Sequence, residues 1–107
     1  KLEAKIGPSD REVLREQYTE CVYCQTPLDD TNTHIDHVIP LSGGGHEAQY
    51  NLIPVCQSCN LSKGRAPVTE FLVRLYIDKP DAELAALERV RAHVSEQAYL
   101  LELIEGD

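Results

Sequence analysis

Two Cys-x-x-Cys pairs constrain this chain more than any other feature: Cys21 with Cys24, and Cys56 with Cys59, with 31 residues between the pairs. Two intervening residues let both sulfurs of one turn reach a single ion. Two such turns together supply the four thiolates that tetrahedral Zn²⁺ prefers in structural sites. Iron in a Cys₄ site competes for the same donor set. The glycine that commonly follows the second cysteine of such iron-binding turns is absent, because Gln25 and Asn60 stand there. At 107 residues the chain is one domain's worth, with a modest core for which an internal staple is expected.

Charge points away from nucleic acid. Ten basic residues face 18 acidic ones, a net of −8. Residues 78–107 hold eight acids and three bases, a local net of −5. Neutralising phosphates normally takes a basic face. No apolar run approaches the roughly 20 residues of a membrane span, and no secretory signal is visible, so the expected setting is a reducing cytoplasm. There, paired CxxC reads as metal rather than disulfide. The first residue is Lys1, from which an excised piece of a longer protein is expected.

Local patterns predict a small α+β domain. Ser9 to Glu12 is a capping box, followed by Val13, Leu14, Gln17 and Tyr18 at helical spacing, which predicts a short helix over 10–20. Pro27, Asp29, Asp30 and Asn32 mark a loop. The β-branched run 33–39, closed by Pro40, predicts a strand, and 51–56 a second extended segment. A short helix over 58–63 ends at Gly64. Val68, Phe71, Leu72, Leu75 and Tyr76 give one further helix, and 81–105 another with its stripe at Leu87, Val90, Val94, Leu101 and Ile104.

Between and around the cysteine pairs run His34-Ile-Asp36-His37 and then Asn51, Asn60 and Lys63. In these residues, over about 21–65, the chain resembles the HNH endonuclease family in its zinc-stapled subgroup. That family carries an Asp-His pair on a strand, a central Asn, and a closing His or Asn after the second CxxC, often with a Lys three residues on. The resemblance implies a ββα-metal fold and hydrolysis of DNA phosphodiester bonds with a single divalent ion.

Residue chemistry points the same way. His37 suits a general base near neutral pH. Asp36 and Asn60 offer the hard oxygens that Mg²⁺ or Mn²⁺ takes. Asn51 is expected to hold His37 through its side chain or its backbone carbonyl. Lys63, three residues after Asn60 on one helical face, is expected to assist phosphate binding. Regular strand alternation would put Asp36 and His37 on opposite faces, so the strand must be irregular there or end early. His34 either lines the site or faces solvent; His46 and His93 are expected at the surface.

The expected organisation is a helical extension over 1–20, a nuclease core with a structural zinc held by Cys21, Cys24, Cys56 and Cys59 over 21–66, and a helical extension over 67–107. The rival reading is a non-catalytic Cys₄ zinc module that binds nucleic acid or protein; a coloured Cys₄-iron electron carrier is a second. Tyr99, Leu100, Leu101, Leu103 and Ile104 span most of the last helix's circumference. With the local acidity, this predicts that DNA affinity comes from another domain or subunit docked at that end.

Overall fold

The structure is a computed structural model that describes residues 14–39, 44 and 51–105, with side chains in the last helix as far as residue 96. Residues 14–17 are helical, but 18–20, expected to continue that helix, are not: Glu20 instead forms an antiparallel bridge with Pro27. The capping segment before residue 14, the glycine loop apart from Gly44, and His46 lie outside the described residues.

Two strands form an antiparallel pair. β1 is Thr33–His37 and β2 is Leu52–Cys56. Their register runs from Thr33 opposite Cys56 to His37 opposite Leu52. Val38 N–H donates to Asn51 C=O at 2.9 Å and Gln57 N–H to Asn32 C=O at 2.8 Å, so the flanking pairs are hydrogen-bonded ones. Alternation then points the backbone groups of Leu52 and Pro54 to the outer edge of β2. This is why a proline is tolerated in a fully buried strand: its missing N–H falls on the edge, where no ladder bond is lost.

Three helices follow: α1 (Gln57–Lys63), α2 (Val68–Leu75) and α3 (Pro80–Glu105). Gly64 ends α1 at φ 56°, a left-handed backbone that glycine adopts at little cost. α1 packs on both strands, and α2 joins α1 to α3. The core is Tyr23, Ile53, Val55, Phe71, Leu72, Ala86 and Val90, all buried. Helical spacing brings Val68, Phe71 and Leu72 of α2 onto one inward face, and Ala86, Val90 and His93 of α3 onto another. No helix among the described residues is long and apolar enough to cross a membrane. The apolar residues from Tyr99 onward lie beyond the described side chains.

His93 departs from expectation. It is only 2% exposed, not a surface residue. The outward Leu52 carbonyl needs a partner inside the core, and His93 Nε2–H donates to it at 2.6 Å. A carbonyl can only accept, so Nε2 carries the proton and Nδ1 accepts from the Tyr18 hydroxyl. Burial is the main effect on the His93 pKa and lowers it, against the opposing pull of the Leu52 bond and Glu96. A histidine base with a depressed folded-state pKa stabilises the fold above its unfolded value near 6.5, and that contribution is lost as pH falls through the lower folded value. The urea midpoint of the wild type should therefore fall between pH 7.5 and pH 5 more steeply than that of His93→Gln. Parallel pH curves for the two proteins would remove His93 from the acid response.

Candidate metal centre and ββα site

The four cysteines converge although strand β1 and its flanking loops separate the pairs. Their sulfurs all lie within 4.8 Å of one another, with Cys24 and Cys56 at 3.7 Å. Tetrahedral zinc with bonds of about 2.3 Å has sulfur–sulfur edges of about 3.8 Å, so the cluster fits the ion. Cys21, Cys56 and Cys59 are buried and Cys24 half-buried.

Each pair is shaped by local backbone bonds. In the first, Gln25 N–H donates to Cys21 C=O and Cys21 N–H to Thr26 C=O, both at 2.8 Å. Gln25 takes a φ of 66°, so the position after the second cysteine, where iron-binding CxxC turns commonly carry glycine, holds a non-glycine residue in the left-handed region. In the second pair, Cys56 ends β2 in extended geometry and caps α1, its sulfur accepting the Cys59 N–H at 3.4 Å. The hydrogen bond from Cys59 pulls the Cys21 thiol down to about 5, and the same bond with burial pushes Cys59 up. Four thiolates together need a cation to balance them.

A second cluster lies where α1 crosses β1. His34 and Asp36, two apart on β1, share one strand face; Asn60 and Lys63, three apart on α1, share one helix face. Asn60 Nδ2–H donates to His34 Nδ1 at 2.8 Å. Asp36 is 7% exposed, and its Oδ2 accepts from the Tyr23 hydroxyl at 2.8 Å and from Lys63 Nζ at 3.0 Å. Lys63 also donates to His37 C=O at 2.9 Å. The structure thus gathers Asp36, Asn60 and Lys63 and adds His34, which sequence alone left between lining and solvent.

Two expectations change in detail. Lys63 shares the helical face with Asn60, but it is 2% exposed and bonded to protein oxygens rather than extended toward a ligand. A carboxylate buried under α1 requires a nearby positive charge, and Lys63 provides it. Asn51 is buried, and its side chain clasps the main chain of Ile39, accepting from the N–H at 2.8 Å and donating to the C=O at 2.9 Å. It therefore pins the segment immediately after His37. β1 itself ends at His37.

Tyr23 is the residue that sequence reasoning missed. Its signal was a hydroxyl-bearing aromatic inside a metal turn, where a buried tyrosine needs a polar partner. Arg89 was also unremarked: its guanidinium donates to Val22 C=O at 2.8 Å and Tyr23 C=O at 3.0 Å, the backbone of the first CxxC turn.

The HNH endonuclease profile matches residues 21–66, which hold both CxxC turns, both strands and α1. This segment belongs to the HNH endonuclease family. More particularly, the chain is 31% identical over 102 residues to the CRISPR-associated endonuclease Cas9 of Corynebacterium diphtheriae, covering 90% of this chain and 9% of that protein. It is 35% identical over 57 residues to the Cas9 of Actinomyces naeslundii, covering 52% of this chain and 5% of that protein. Its fold is similar to the crystal structure of the Type II-C Cas9 enzyme from Actinomyces naeslundii, with a TM-score of 0.59 and 24% identity over 83% of this chain and 13% of that one. The chain spans less than a tenth of the length of either curated relative.

The four converging sulfurs join the first CxxC turn to the β2–α1 junction, so metal binding should carry much of the folding free energy. Cys56→Ser should lose stoichiometric metal and its cooperative thermal transition, whereas Asn60→Ala should keep both. Elemental analysis of the purified wild type should find one zinc per chain; a protein without zinc or iron that melts cooperatively would end the argument.

Proposed function

We propose that this chain is the DNA-cutting unit of a larger protein and hydrolyses phosphodiester bonds with one divalent cation. The observation that carries the reading is the β1–α1 crossing, where Lys63 of α1 bonds Asp36 and Asn60 of α1 bonds His34, with His37 at the strand end. Both Asp36 hydrogen bonds fall on Oδ2, which leaves Oδ1 for a cation, and Asn60 offers its amide oxygen. Such hard donors suit Mg²⁺ or Mn²⁺. When bound, the ion supplies positive charge to the phosphoryl oxygens as charge builds in the transition state.

His37 takes the proton of the attacking water as the new P–O bond forms and the bond to the leaving sugar oxygen breaks. Asn51 supports this from behind by fixing the main chain two residues on. Lys63 acts through Asp36 and the His37 carbonyl, keeping the carboxylate charged and the strand end in place. The second ion, zinc on Cys21, Cys24, Cys56 and Cys59, is structural. The similar CRISPR-associated endonucleases, of which this chain spans less than a tenth, support a nucleic-acid backbone as the substrate, here DNA, and further domains as partners. A reducing cytoplasm, which keeps the four thiols available to metal, completes the reading.

Supercoiled plasmid and Mg²⁺ test the chemistry. His37→Ala should cut at least ~10²-fold more slowly than wild type while retaining zinc and fold. Asn60→Ala should need a higher Mg²⁺ concentration for half-maximal rate; an unchanged metal titration would contradict its ligand role. The net charge of −8 adds a further expectation for the chain alone. Its DNA binding near physiological salt should be weak and without sequence preference. Tight binding that drops steeply with added salt would show that the chain carries its own phosphate-binding surface.

A further inference from the structure

We propose that Tyr23 is a positioning residue that couples the cysteine-bound metal to the carboxylate of Asp36. The inference rests on the reading that Asp36 holds the catalytic cation. Tyr23 lies between Cys21 and Cys24, so its backbone is part of the first CxxC turn. The residue is fully buried, and its ring meets Phe71 edge-on with centroids 5.4 Å apart. Its carbonyl accepts from Tyr76 Oη at 2.6 Å and from Arg89 at 3.0 Å. Backbone and ring are thus fixed from four sides: the metal turn, α2, the segment after α2, and α3. Its side-chain hydroxyl, Oη, reaches Asp36 Oδ2 at 2.8 Å.

That geometry transmits the position of the turn to the carboxylate. Lys63 alone would hold Oδ2 through a flexible four-carbon stem, about which the carboxylate can still rotate. A second donor from a rigid ring on the same oxygen fixes the carboxylate plane, and with it the direction in which Oδ1 faces. Loss of the cysteine-bound metal frees the turn and therefore the hydroxyl. By linkage, each ion then strengthens the other's binding.

Zinc-loaded Tyr23→Phe, which keeps the ring, is the direct test. Its zinc content should remain one per chain. Its affinity for Mn²⁺, followed by the electron paramagnetic resonance of the free ion, should weaken roughly tenfold, the size expected from losing a charge-assisted hydrogen bond. Tyr76→Phe, which removes a hydroxyl at the same turn without touching Asp36, should bind Mn²⁺ as the wild type does. Unchanged or tighter Mn²⁺ binding by Tyr23→Phe overturns the proposal, as does an equal loss in Tyr76→Phe. Asp36→Asn separates the two levels: wild-type Mn²⁺ affinity there sinks the ligand assignment itself, whereas weakened binding there with none in Tyr23→Phe sinks only the coupling. Should Tyr23→Phe fail to hold zinc, the wild type still decides. Saturating Mg²⁺ should slow zinc transfer to a chromophoric chelator several-fold in the wild type and not in Asn60→Ala; no protection in the wild type overturns the coupling.

Discussion

Everything in this fold hangs on Cys56. It ends β2, caps α1, and supplies one of four converging sulfurs. With no intervening residue between strand and helix, α1 starts in a direction set by the metal cluster rather than by a loop. Asn60 and Lys63 follow within two turns, so their placement over β1 is inherited from the sulfur geometry. A two-stranded sheet alone is marginal in water, and a seven-residue helix is shorter than an isolated helix needs. Binding an ion makes the pair a rigid unit.

The polar crossing beneath α1 has a different logic. An isolated buried carboxylate is costly, and an isolated buried ammonium equally so. Asp36 and Lys63 offset each other at 3.0 Å, but such pairs seldom add net stability over apolar packing of the same volume. Under the proposed reading their presence in a chain with so small a core makes functional sense: a carboxylate that must stay oriented toward a cation needs a fixed counter-charge and a second donor. Lys63 and Tyr23 are those groups. A leucine pair would pack as well and do no chemistry.

Much of this was legible from residue spacing. The two CxxC pairs located the staple, alternation and β-branching located β1, and the i, i+3 spacing of Asn60 and Lys63 put both on one helix face. What stayed hidden shares one physical cause: sequence shows which groups are polar, not which backbone carbonyls are left over at a sheet edge or a turn. His93 looked like a surface histidine because its helix is acidic, yet the outward carbonyl of Leu52 draws it inside. Arg89 carried no signal of its own, yet the carbonyls of Val22 and Tyr23 claim it. Lys63 looked free to reach a phosphate because the burial of Asp36 depends on Tyr23, thirteen residues away. The strand end at His37 was anticipated only as one of two ways to reconcile Asp36 with its neighbour.

These hidden contacts also decide how α3 relates to the site. Its inward side chains include Arg89 and His93, which satisfy three backbone carbonyls of the ββα unit and its first CxxC turn, while Asp81, Glu88 and Glu96 remain exposed. The helix therefore turns Arg89 and His93 inward, and its exposed charges are three carboxylates and the single base Arg91 among the described side chains. A phosphate backbone is repelled from that outer surface and gains nothing from Arg89, whose donors are already taken. Under the proposed reading, DNA approaches instead where His34, His37 and Asn60 are partly exposed and Arg65 of the α1–α2 turn is exposed. Much of the acidity that argued against nucleic acid in the bare composition thus lies on a helix that braces the first CxxC turn and β2.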